Sequence, residues 1–219
     1  MGTDPERTEF PRQIQPGGIA TPSITPPSTA SPSIAAAAPT DNSPTTSATT
    51  NGAPASGPQT RLRVGLGHDT HRLADGGPLV LGGVLIPYDR HLVGHSDADA
   101  LLHAITDALL GAAALGDIGE MFSDVDPVNR GRDSADMLRR AHDKVRAAGW
   151  RIVNLDCIVF AQRPKLSPYK AAMQARIAEI LEIAPEQVGV KAKTGELVGP
   201  VGREEALMTE CVTLVERIF

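Results

Sequence analysis

Asp69 and His71 stand two positions apart, and His103 lies on a stretch that also carries Asp99 and Asp107 at four-residue spacing. In extended backbone, positions i and i+2 point the same way, so a strand presents Asp69 and His71 together. In a helix, positions four apart share a face, so Asp99, His103 and Asp107 form one carboxylate–imidazole stripe. A carboxylate and two imidazoles suit a divalent cation: catalytic zinc keeps three protein ligands and an open position, with Zn–N near ~2.0–2.1 Å. Taken alone, Asp-x-His is also an ordinary solvated turn, and a lone helical histidine is commonly a structural one. Read together, with acids on the same helix face to orient the imidazole, the three favour a metal.

Other groups surround this set. His95-Ser96-Asp97 precedes the helix, where free backbone N–H groups favour an anion, although ordinary capping by Ser96 explains the same residues. After the helix comes an acidic loop with Asp117, Asp124 and Asp126. Ala161-Gln162-Arg163-Pro164-Lys165-Leu166-Ser167 joins a strand to a helix, either as a nucleotide-holding loop or as a plain connector. In Lys191-Ala192-Lys193-Thr194-Gly195-Glu196 the hydroxyl, cation and carboxylate suit a phosphate with a hard metal, and Arg203 suits a phosphate; a solvated hairpin is the other reading.

These groups need elements to hold them. Leu62, Val64 and Leu66 alternate on one face of a strand over 62–68, leading into Asp69. Residues 79–86 read as a second strand ended by Pro87. The central helix starts at Ala98 and ends near Gly116, with Ser96 as N-cap, Asp99 completing a capping box, and Leu101, Leu102, Ile105, Leu109 and Leu110 as its apolar side. A second helix spans 134–148, stopped by Gly149, and a third runs from an N-cap at Ser167, with Pro168 first, to Leu181. Strands are expected at 152–161, 187–193 and 206–218. The sum is an α+β fold, a mixed four- to five-stranded sheet covered on one face by three helices.

Residues 1–60 are rich in Pro, Ser, Thr and Ala, with no Lys and Phe10 as the sole aromatic. Such a segment buries too little apolar surface to offset its ordering entropy, so it reads as a disordered tail before a domain at 61–219. The net charge of -5 argues against nucleic acid as a partner. No apolar run is long enough to span a bilayer, and Cys157 and Cys211 sit in apolar runs as buried free thiols, with a disulfide between them as the alternative that nothing requires. The start lacks the pattern of a secretory signal, which places the chain in the cytoplasm, with a plastid as the alternative if the tail is a transit peptide.

The motifs match a known family. Gly67–His71 reads G-x-D-x-H, Gly82–Pro87 reads G-G-V-x-I-P, and His95–His103 reads H-S-D-x-D-x-x-x-H; Thr106–Gly119 and Ala161–Lys165 extend the match. Over 62–218 the chain resembles the 2-C-methyl-D-erythritol 2,4-cyclodiphosphate synthases of non-mevalonate isoprenoid biosynthesis. The resemblance implies a homotrimer with its sheets toward the axis and active sites between subunits. It implies one zinc per subunit on Asp69, His71 and His103, and Mg²⁺ or Mn²⁺ at Glu196 with the substrate diphosphate. His95 and Thr194 match residues credited with transition-state stabilisation. Asp69, Thr70, His71, His95 and Ser96, with Asp117, Ile118, Gly119, Phe122, Ser123, Asp124, Val125, Asp126 and Arg203, match substrate contacts. Ala161, Gln162, Arg163, Pro164, Lys165, Leu166, Ser167, Lys193, Thr194, Gly195 and Glu196 match the contacts to the cytidine nucleotide and diphosphate. The implied reaction is a phosphorus–oxygen lyase step, in which the substrate's 2-phosphate attacks its own β-phosphorus and expels CMP. Some positions depart from the family pattern: Lys193 stands for a threonine, Pro200 for a phenylalanine and Ala206 for a glycine.

Overall fold

The first strand is longer than its leucine–valine alternation suggests: β1 runs Leu62–Asp75. A strand at Ala206–Arg217 pairs antiparallel with positions 62–72, and one at Arg90–Val93 with positions 72–75. Continuous pairing keeps the backbone extended, so Asp69 and His71 lie within the strand rather than beyond its end. The computed structural model describes residues 61–123 and 125–218. The tail assigned to 1–60, and Asp124, lie outside the described residues.

Numbered along the chain, the strands are β1, β2 (Leu79–Leu81), β3 (Val84–Ile86), β4 (Arg90–Val93), β5 (Trp150–Phe160), β6 (Val188–Lys193) and β7 (Ala206–Arg217). Five form one sheet in the order β4-β1-β7-β5-β6, with β5 and β6 parallel and the other neighbours antiparallel. The expected single strand over 79–86 is instead a separate hairpin of β2 and β3. Gly82 and Gly83, with φ of 61° and 69°, make the turn, a conformation that glycine adopts without steric cost. The short β4 was not anticipated.

Three long helices, α1 (Ala100–Ala113), α3 (Ser134–Ala147) and α4 (Lys170–Leu181), cover one face, as expected; α2 (Ile118–Met121) and α5 (Gly199–Gly202) are single turns. The third helix starts later than expected, with Tyr169 at its N-cap and no side-chain capping bond, so Ser167 and Pro168 stay in the preceding loop. On β5 the buried side chains are Trp150 and Ile152, then Leu155, Cys157 and Val159. A bulge between Ile152 and Asn154 makes that change of phase and keeps both sets facing the helices. Cys157 and Cys211 are cross-strand neighbours, buried and free, and their mutual hydrogen bond together with burial pushes the Cys211 thiol up.

The side of β1 that meets α1 is not the one with the large residues. Leu62, Val64 and Leu66 are 51%, 66% and 66% exposed, on the open face of the sheet. The covered side carries Gly65 and Gly67. A Cβ at Gly67 would sit 1.9 Å from the Ala104 carbonyl oxygen, and one at Gly65 1.9 Å from that of Ala108. Two glycines facing Ala104, Ala108 and Ala112 let helix and strand backbones nearly touch, and this approach brings the helix side chains within reach of Asp69.

The N-terminus of α1 also differs from expectation. Ala98 has φ of 61°, so the helix starts after it, and Asp99 rather than Ser96 is the N-cap, accepting from Leu102 N–H. The other bonds of the Asp99 carboxylate are to the hairpin: Gly82 N–H at 2.8 Å and Gly83 N–H at 2.6 Å. Burial pushes this carboxyl up, against the pull of its three N–H donors. Asp99→Ala would strand those donors, two of them buried and Gly83 half-buried, around a side chain with no solvent exposure. At about 1–3 kcal/mol for a buried unsatisfied group, the variant should lose about 3 kcal/mol or more, read as a lower urea midpoint at unchanged slope.

Candidate metal centre

His103 leaves α1 on the side facing β1 and meets Asp69 and His71. Its Nδ1 lies 3.0 Å from Asp69 Oδ2 and 3.3 Å from His71 Nε2, and His71 Nε2 lies 3.0 Å from the same oxygen. The side chains are 12–23% exposed, so the cluster borders solvent without being immersed in it. All three candidate ligand atoms fall within 4.8 Å of one another. The opposite nitrogen of His71, Nδ1, donates to the Val93 carbonyl at 2.8 Å, which leaves Nε2 as the nitrogen facing the cluster.

Burial alone would raise the Asp69 carboxyl, but hydrogen bonds from His103 and His71 outweigh it and hold the group well below the usual carboxylate range. Burial alone would lower His71, and its bonds to Asp69 and Val93 outweigh that and raise it. Two imidazole nitrogens and one carboxylate oxygen at such distances need a positive charge among them, either a proton or a cation. The donor set, two N and one O, is one that zinc accepts. A metal must displace the proton, so its affinity falls as pH drops.

The rest of the acidic stripe does other work. Asp99 caps α1, and Asp107 accepts from Ile118 N–H at 2.8 Å, fastening the segment after the helix. Among the described residues neither carboxylate bonds the His103 imidazole, whose Nε2 turns to the hydroxyls of Ser96 and Ser134 instead. Ser134 carries no local signal for this role, since a serine at a helix start reads as a cap. His95 is exposed and Ser96 half-buried beside the cluster. Thr70 is exposed, its N–H bonded to Asp69 Oδ1. Asp117 caps α2 by accepting from Glu120 N–H, and Asp126 accepts from Val128 N–H. Ile118 and Gly119 follow in α2, Phe122 is buried under Arg132, and Ser123 and Val125 flank the undescribed Asp124.

The second group of expected residues gathers elsewhere. Ala161–Ser167 with Ala192, Lys193 and Thr194 lines a pocket of about 380 Å³ at the ends of β5 and β6. Its loops are pinned by Ala161 N–H to the Lys193 carbonyl and Leu197 N–H to Gln162 Oε1. Thr194 donates to Glu196, Arg203 forks onto Glu205, and Arg163 pairs with Glu204. Gly195 closes the turn against Gly202. The strands that border it, β5 and β6, stand two and three strand spacings from β1, roughly 10 and 14 Å, so this pocket is set apart from the Asp69–His71–His103 cluster of the same chain.

A mixed sheet with one helical face, and a strand-borne Asp-x-His pair closed by a helix-borne histidine, defines an α+β protein with a side-chain cluster that could hold a metal ion. The chain belongs to the YgbB family, whose profile matches residues 62–216. It is 56% identical over 146 residues to the 2-C-methyl-D-erythritol 2,4-cyclodiphosphate synthase of Gemmatimonas aurantiaca, covering 67% of this chain and 88% of that one. It is 56% identical over 156 residues to the enzyme of the same name from Dechloromonas aromatica, covering 71% and 98%. A solved 2C-methyl-D-erythritol-2,4-cyclodiphosphate synthase in its CDP-bound form superposes with a TM-score of 0.65 at 38% identity, over 70% of this chain and all of that one.

Proposed function

We infer that the chain catalyses the reaction of the 2-C-methyl-D-erythritol 2,4-cyclodiphosphate synthases, a lyase step of non-mevalonate isoprenoid biosynthesis. It converts 4-diphosphocytidyl-2-C-methyl-D-erythritol 2-phosphate into 2-C-methyl-D-erythritol 2,4-cyclodiphosphate and CMP. The observation that carries this is the convergence of Asp69, His71 and His103 at 3.0–3.3 Å in a chain of this family. The CDP-bound relative supports a cytidine nucleotide as the ligand of the pocket at Ala161–Ser167.

The nucleophile, the substrate's own 2-phosphate, is already an anion at neutral pH, so the chain needs no general base. Its task is to bring anionic phosphates into line and to neutralise them. Asp69, His71 and His103 would hold zinc and Glu196 would hold Mg²⁺ or Mn²⁺, ions that would supply Lewis-acid polarisation of the diphosphate when bound. His95, Ser96 and Thr194 donate to the developing charge, and Lys193 adds a cation beside it. Asp117 to Gly119 and Phe122 to Asp126 hold the methylerythritol portion. Arg203 takes a phosphate by exchanging or sharing its fork with Glu205.

The separation of pocket and metal cluster within one chain supports a homotrimer in which neighbouring subunits complete each site. The exposed apolar residues on the open sheet face, Leu62, Val64, Leu66 and Val212, support packing of that face toward the axis. Residues 1–60 are a tail outside the catalytic domain at 61–219. Among the described residues no helix is long and apolar enough to cross a membrane. Cytoplasmic residence is supported by the bacterial origin of the similar proteins.

Phosphorus NMR of the purified protein with this substrate and Mg²⁺ tests the activity. The expected products are the cyclic diphosphate and CMP in equal amounts. An opened hydrolysis product, or binding without CMP release, overturns the reading.

A further inference from the structure

His71 and His103 both turn one nitrogen toward Asp69, and each must commit the other nitrogen elsewhere. For His71 the partner is the Val93 carbonyl. For His103 the partner is a side chain from another helix: Nε2 lies 2.8 Å from Ser134 Oγ, on the first residue of α3. Ser134 has no solvent exposure. Its hydroxyl in turn donates to Asp97 Oδ1 by a short hydrogen bond, and its N–H donates to Asp97 Oδ2 at 3.2 Å. Asp97 Oδ1 also receives Asp99 N–H at 3.3 Å.

The directions of these bonds follow from chemistry. An ionised carboxylate only accepts, so the Ser134 proton points to Asp97. The serine oxygen is then left as the acceptor for Nε2–H of His103, so a cation that displaces the proton between Nδ1 and Asp69 meets the Nδ1 lone pair. Capping α3 does not require this hydroxyl, because Asp133 already accepts from Ala135 N–H at 2.7 Å. Ser96 Oγ lies 3.0 Å from the same Nε2, but it also accepts Ala98 N–H at 3.1 Å, and its further partner among the described residues is the Ser134 hydroxyl at 3.4 Å rather than a carboxylate.

We propose that Ser134, backed by Asp97, is a positioning residue that holds His103 in the metal-ligating tautomer and orientation. The proposal rests on the zinc reading of the Asp69, His71 and His103 cluster. It concerns two side chains that touch neither the cation nor the substrate in the proposed reaction. Loss of an outer partner of a ligating imidazole lowers metal affinity by about 10- to 100-fold.

The test is competition for Zn²⁺ between full-length protein and a chromophoric chelator, with thermal melting of the metal-free forms alongside. Wild type should bind one Zn²⁺ per chain. Ser134→Ala should bind about 10- to 100-fold more weakly while melting near wild type without metal, and Ser134→Thr, which keeps the hydroxyl, should recover most of the affinity. Equal affinities for Ser134→Ala and wild type overturn the proposal, as does a Ser134→Thr protein that folds yet binds no better than alanine. Should Ser134→Ala fail to fold, Asp97→Ala carries the test: a several-fold weaker Zn²⁺ supports the proposal, and unchanged affinity overturns it. A wild type that binds no Zn²⁺ removes the zinc reading itself, an outcome distinct from a wild type that binds it independently of Ser134.

Discussion

Replacing His103 by alanine is expected to strip the protein of its metal and to lower cyclisation by at least ~10³-fold, about 4 kcal/mol of barrier, while the chain still folds. Two effects combine. Asp69 and His71 remain, but a carboxylate and one imidazole make an incomplete set for zinc, which draws three protein ligands in catalytic sites. The substitution also opens space beside the Ser96 and Ser134 hydroxyls, and water fills it. Folding should survive because the imidazole belongs to the half-buried cluster and not to the fully buried leucine face of α1. Metal analysis, circular dichroism and phosphorus NMR on the same preparation check this. A zinc-free variant with full activity would contradict the ligand assignment.

Gly67→Ala should be nearly as damaging, from the opposite direction. The added methyl meets the Ala104 carbonyl oxygen at 1.9 Å and Ala108 N at 2.7 Å, both backbone atoms of α1 that no rotamer change can clear. The helix must lift from the sheet. Overpacking costs about 1–3 kcal/mol where side chains can adjust, so about 3 kcal/mol or more is expected here. Lifting α1 also draws His103 away from Asp69, so surviving folded protein should bind metal weakly. Urea denaturation together with zinc titration reads both effects. A variant with wild-type stability would mean that α1 does not sit on Gly67.

The contrast between these positions shows what was legible in the residues. The pairing of Asp69 with His71 was legible because two residues in a strand share a face whatever surrounds them. The leucine side of α1 was legible because a helix repeats every 3.6 residues. The role of Gly67 was not, because the large residues of β1 make a clear alternation, and that alternation faces away from the helices. Asp99 and Asp107 were correctly placed on the His103 face, yet they proved to hold the β2–β3 hairpin and the segment at Ile118. A four-residue repeat says that side chains are near one another, not which backbone N–H groups the fold will bring to them.

By itself the sequence determined the local geometry: a mixed α+β succession, a strand presenting Asp69 and His71, a helix presenting His103, and family motifs at each. Only the tertiary structure decided that these side chains meet, that Ser134 and Asp97 stand behind His103, and that the pocket at 161–167 lies away from this cluster within one chain. The reason is physical. Periodicity orients a side chain about its own element, whereas contacts across 31 to 37 residues depend on how closely two elements approach. Here that approach is set by two glycines against an alanine row.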